Sequence, residues 1–119
     1  HASLSALKET YPDNKITIVF QPHMYSRTKA FFRDFIKELK EVEELYILPI
    51  FYAREAKDES VSSEILAKEI NKIGGNARNF SDFESAEAYL RSKEWGKKDV
   101  FVTMGAGEAY KVADTIFKF

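Results

Sequence analysis

Within five positions the chain sets an imidazole, a phenol, a hydroxyl and a guanidinium, as His23, Tyr25, Ser26 and Arg27. A guanidinium donates paired hydrogen bonds to two oxygens at once, so Arg27 suits a carboxylate or a phosphate. The imidazole and the phenol beside it can each donate or accept. The bare residues read about equally well as a capped turn, with Ser26 or Thr28 as the helix N-cap and Arg27 solvated. Which reading holds depends on where the surrounding elements deliver the cluster.

Just before it, residues 16 to 20 form the run Ile-Thr-Ile-Val-Phe, apolar and β-branched, which predicts a buried strand. Just after it, from about residue 28 to 42, apolar side chains recur at Phe31, Phe32, Phe35, Ile36 and Leu39, which is helical spacing. The cluster therefore sits at a strand-to-helix crossing. In open α/β sheets such crossings lie at the carboxyl edge of the strands, where ligands bind.

A second small-residue motif, Gly105-Ala106-Gly107-Glu108, follows the strand predicted at residues 99 to 103 and precedes a last helix marked by Tyr110, Val112, Ala113, Ile116 and Phe117. On pattern alone it is a tight turn. Small residues there could also cradle a phosphate, since they let backbone amides approach its oxygens. A third glycine and a P-loop lysine are both absent, so it is neither a dinucleotide fingerprint nor a Walker motif.

Between the two motifs strands and helices alternate. A first short helix around residues 4 to 8 ends at Pro12-Asp13-Asn14. Residues 45 to 50 form an apolar run short enough for a strand buried on both faces. Ile65, Leu66, Ile70 and Ile73 mark a helix that Gly74-Gly75 stops with a left-handed cap, and residues 77 to 80 form a brief strand. Ser81 and Glu84 have capping-box spacing, opening a helix that ends near Trp95-Gly96. This alternation predicts an α/β, Rossmann-like three-layer domain, with a mainly parallel sheet of at least four strands and helices on both faces. A free-standing flavodoxin-like or receiver-like module is the alternative, although a receiver needs an acid at the end of a middle strand, and neither Phe20 nor Ile50 supplies one.

The segment Gln21-Pro22-His23-Met24-Tyr25-Ser26-Arg27-Thr28, followed by Thr103-Met104-Gly105-Ala106-Gly107-Glu108, resembles the carboxy-terminal domain of the Mur ligase family of peptidoglycan synthesis, and within it the members that join L-alanine to UDP-N-acetylmuramate. The resemblance implies that residues 1 to 119 are a single lid domain of a longer enzyme. It implies that Arg27 pairs with the alanine carboxylate while His23, Tyr25 and Ser26 line the same cleft. Tyr52 and Glu55 match a tyrosine and an acid of the family and become candidates for that lining; without the resemblance, residues 53 to 60 read as a solvated loop. Glu108 stands where the family usually has Asp, and Met24 where it commonly has Arg. ATP and magnesium are implied for the parent, held by a central ATP-binding domain, with an amino-terminal domain for the uridine nucleotide. The fragment itself is expected to bind neither tightly and to be inactive alone.

Composition limits the alternatives. With 119 residues, 45% of them hydrophobic, the chain can build one compact domain but not two. Eighteen basic residues against nineteen acidic ones leave a net charge of -1, which gives no electrostatic case for nucleic acid or an anionic membrane. Ten phenylalanines argue for a packed interior rather than a base-stacking platform. The absence of cysteine, of a signal peptide and of a bilayer-length apolar run fits a cytoplasmic domain. His1 does not align with the family's upstream histidine and reads as a tag remnant. No metal-ligand spacing or serine elbow is present.

Overall fold

The computed structural model describes residues 2–51 and 56–105. Four strands, β1 (Lys15–Gln21), β2 (Glu44–Ile47), β3 (Ala77–Asn79) and β4 (Asp99–Gly105), form one sheet in the order β3-β2-β1-β4, and all three pairings are parallel. Five helices connect or precede them: α1 (Ala2–Thr10), α2 (Tyr25–Ala30), α3 (Phe32–Leu39), α4 (Ser63–Lys72) and α5 (Phe83–Arg91). The expected α/β architecture is present; the predicted last helix lies outside the described residues.

β1 is buried along nearly its whole length because it has a partner on each edge and helices on both faces. Its residues alternate between two cores, as strand geometry requires. Ile16, Ile18 and Phe20 join Leu45 and Ile47 of β2 under α3 and α4, whose Leu39, Leu66, Ala67 and Ile70 supply the apolar stripe. Val19 and Tyr46 face the other way, against Ala86 and Leu90 of α5 and the ring of Phe80. Trp95 lies at the edge of this second core, its ring edge-on to Phe101 at 5.4 Å between centroids.

Several boundaries differ from the sequence expectation, among them the end of α5, at Arg91 rather than near Trp95. The helix predicted from 28 to 42 starts at Tyr25 and breaks at Phe31, whose backbone lies at φ -107, ψ 20. Phe31 is therefore not part of the apolar stripe: it is 49% exposed, while Phe32, Phe35 and Ile36 turn inward. The cap of α5 is Asp82, not Ser81; its carboxylate accepts from the Ser85 amide at 2.7 Å, and as a charged group it also favours the positive helix end. β2 ends at Ile47, three residues short of the apolar run, although the Leu48 amide still donates to the Phe20 carbonyl. Gly74 does take the left-handed conformation expected of it, at φ 95.

At the amino edge of the sheet Glu44 is buried and accepts from Lys15, from Lys93 at 2.6 Å, and from the Tyr46 hydroxyl. Lys93 also lies 5.9 Å from the Tyr46 ring centroid, and Arg78 lies 4.3 Å over Tyr89. Burial opposes ionisation of Glu44, but the hydrogen bonds from Lys15, Lys93 and Tyr46 outweigh it and hold the carboxyl at about 2. Burial, followed by the bond to Glu44, pushes the Tyr46 phenol up. A depressed acid contributes stability above its unfolded value and loses it as pH falls through the folded one. Glu44→Gln should therefore be less stable than the parent chain by about 3 kcal/mol at pH 7. Denaturant melts at stepped pH should show that gap closing between about pH 4.5 and 2.

Thr17, fully buried on β1 opposite Glu44 and Phe101, has a hydroxyl with no hydrogen-bond partner among the described residues. Such an orphan costs more than a methyl of equal volume. Thr17→Val should raise unfolding free energy by about 1 kcal/mol in denaturant titration, and a loss of that size would reveal a partner for the hydroxyl.

Candidate functional site

The order β3-β2-β1-β4 means that the chain steps outward from β1 to β2 and β3, then crosses back to place β4 on the other side of β1. The switch point therefore falls between the carboxyl ends of β1 and β4, the crevice where doubly wound sheets take their ligands. Gln21 and Gly105 are the paired residues there.

Gln21 is buried, and its side-chain amide donates to the Pro49 carbonyl at 3.2 Å, tying the end of β1 to the segment after β2. The pairing then continues beyond the strands. The Phe51 amide donates to the Pro22 carbonyl at 2.9 Å, and the Met24 amide donates to the Phe51 carbonyl. His23 lies between these bonds in a parallel bridge with Phe51, and the two rings stack at 5.6 Å with 22° between planes. The imidazole is half-buried, and Phe51 is 38% exposed.

Chain direction changes at Met24, the residue before α2, with φ 65 and ψ 142. No side chain caps α2, so the expectation of a Ser26 or Thr28 N-cap does not hold. Thr28 is instead inside the helix and fully buried, and its hydroxyl donates back to the Met24 carbonyl at 2.7 Å. Ser26 and Arg27 are exposed on the first turn of α2. Among the described residues no carboxylate lies within ion-pair distance of Arg27.

Tyr25 is half-buried and lines a cleft of about 380 Å³ together with Pro49, Lys57, Ser62, Asn79 and Phe80. Lys57 and Ser62 are new to the candidate site. Lys57 was hidden in a polar stretch that looks like any solvated loop, whereas Ser62 stands just before an apolar-periodic run, an N-cap signal. It does cap α4, accepting from the Ile65 amide at 3.0 Å. The loop before α4 is also held to α2, through Lys29 and Asp58 at 3.7 Å. Hydrogen bonds from the side chain and amide of Ser60 lower the Asp58 carboxyl.

His23, Tyr25, Ser26 and Arg27 thus follow the carboxyl end of β1 and Gly105 ends the adjacent β4, while of these five Tyr25 alone lines the cleft. Tyr52, Glu55, Ala106, Gly107 and Glu108 lie outside the described residues. Among the described residues no group of three or more His, Cys, Asp or Glu side chains is placed to hold a metal ion. No helix there is long and apolar enough to cross a membrane.

An all-parallel sheet covered on both faces defines a doubly wound α/β domain. The chain belongs to the Mur ligase family: the family model described as Mur ligase, glutamate ligase domain, matches residues 1–107. It is 42% identical over 113 residues to a UDP-N-acetylmuramate–L-alanine ligase of Clostridium acetobutylicum, covering 95% of this chain and 24% of that one. A ligase of the same name from Clostridium tetani is 40% identical over 117 residues, covering 98% of this chain and 25% of that one. The crystal structure of the UDP-N-acetylmuramate-alanine ligase MurC from Thermotoga maritima superposes with a TM-score of 0.71 at 19% identity, over 96% of this chain and 22% of that one, which shows the shared fold. The chain spans about a quarter of the length of the curated relatives it matches.

Gly105 has a structural duty on this rim. At φ 109, a Cβ added to it would lie 2.1 Å from the Gln21 carbonyl oxygen, so the close approach of β4 to the end of β1 requires glycine. Gly105→Ala should cost about 3 kcal/mol or more in thermal or denaturant unfolding, combining the left-handed penalty with the clash. A variant as stable as the parent chain would show that the strand ends can separate freely.

Proposed function

We propose that this chain is the carboxy-terminal substrate-positioning domain of an ATP-dependent ligase that joins L-alanine to UDP-N-acetylmuramate through an acyl phosphate, in peptidoglycan biosynthesis. The reading is carried by the place of His23, Tyr25 and Arg27 just past the carboxyl end of β1, in a domain closely similar along its length to ligases of that name. Residues 1 to 119 form one lid domain in this reading. Its partners are the central ATP-binding and amino-terminal UDP-binding domains of the same parent, and its setting is the cytoplasm.

In the parent, ATP and magnesium supply the phosphoryl chemistry that activates the lactyl carboxylate. In this reading those groups belong to the central domain, and the fragment alone is inactive. What this chain contributes is position. The exposed fork of Arg27 takes the carboxylate of L-alanine through two parallel hydrogen bonds, which fixes the direction of its amine. The Tyr25 phenol and the His23 imidazole, the latter backed by the Phe51 ring, form the neighbouring wall. Docking of this rim over the central domain brings the amine to the reacting carbon and excludes water, a gain in orientation rather than in bond chemistry.

Arg27→Ala in the full-length parent should raise the apparent KM for L-alanine about 10- to 100-fold, the worth of a charge-assisted pair. Because Arg27 is exposed, the melting temperature should stay within about 2 °C of the parent's. Phosphate release with UDP-N-acetylmuramate and ATP measures the first and calorimetry the second. An unchanged KM would remove Arg27 from the substrate.

A further inference from the structure

Met24 has the only positive φ found outside glycine among the described residues. At φ 65 and ψ 142 its Cβ crowds the neighbouring backbone, a conformation that persists only where the surroundings over-determine it. Here they do so from both sides. The Met24 amide is held by the Phe51 carbonyl, and the Met24 carbonyl accepts from both the amide of Thr28, at 3.1 Å, and its hydroxyl, at 2.7 Å.

The element attached to this turn is short, and beyond Thr28 it is tied to the loop before α4 through Lys29 and Asp58. α2 is six residues long, and Thr28 is its one buried side chain. It ends at the break on Phe31, so it is bounded by non-helical backbone at both ends. Ser26 and Arg27 ride on this short unit, while His23 sits on the sheet side of the strained residue. A glycine would adopt the turn without strain, yet the position carries a side chain. Strain in the ligand-free form becomes binding energy if the bound form relieves it.

We propose that Met24 is the positioning residue of the rim: its strained backbone holds α2 in a sprung arrangement that relaxes when the carboxylate of an amino-acid substrate engages Arg27, so the backbone at 24 sets how tightly that substrate binds. This rests on the ligase reading for the identity of the ligand but not for the strain.

Three full-length parents test it: wild type, Met24→Gly, which removes the strain, and Met24→Ala, which keeps the Cβ and deletes the rest of the side chain. Met24→Gly should raise KM for L-alanine about tenfold with kcat within about threefold. It should also slow ligand-free amide exchange across residues 25 to 31 about tenfold, as relief of strain makes opening costlier. Met24→Ala should leave KM and exchange within about twofold of wild type. Met24→Val, whose β-branch raises the strain at positive φ, should move exchange and KM in the direction opposite to glycine and serves if the glycine variant folds poorly. The proposal is overturned if glycine alters neither exchange nor KM, or if alanine matches glycine in both. A wild-type parent that consumes no L-alanine, with the exchange pattern as expected, would overturn the ligase reading and leave the spring standing.

Discussion

β1 pairs along both edges and is covered on both faces, and the candidate residues of the rim take their places from that constraint. Two ladders, to β2 and to β4, fix the height at which the strand ends, and the pairing runs on through Pro22 and His23 to Phe51. Since β1 cannot slip by one residue without exchanging its two buried faces, the register of Gln21 against Gly105 is held by the cores rather than by the rim itself. The chemistry-bearing residues thus inherit their positions from Ile18, Val19 and Phe20, none of which touches the cleft.

Much of this architecture was legible in the residues alone. The β-branched run before Gln21 and the apolar run after Glu44 fall on the two central strands, because burial on both faces removes the polar alternation that an exposed strand would show. Gly74 fell where a helix had to stop. The errors came where two local signals compete. Ser81 and Asp82 are both good caps, and only the position of the first helical turn decides between them. Phe31 fits the apolar spacing of its neighbours, yet the break at that residue rotates it outward, and periodicity is blind to a change of helix axis.

The rim was legible as a set of residue types but not as a geometry. His23, Tyr25 and Arg27 were identifiable from their chemistry and their place after a strand. The stacking of His23 on Phe51, the buried amide bridge from Gln21 to Pro49 and the entry of Lys57 into the cleft all depend on the segment after β2 folding alongside the segment after β1. Those residues are some thirty positions apart in sequence, and nothing local announces the contact. The strain at Met24 was equally invisible, because a methionine carries no backbone signal of the kind glycine does.

The two ends of the sheet have opposite mechanical character. At the amino end one buried carboxylate joins the first residues of β1 and β2 to the segment after α5, drawing three separate stretches of chain onto a single point. At the carboxyl end a six-residue helix is tied down by one buried threonine and by the ion pair of Lys29 with Asp58. A force applied to the rim by a neighbouring body would therefore be taken up first at that helix, while the remainder moved as a stiff handle.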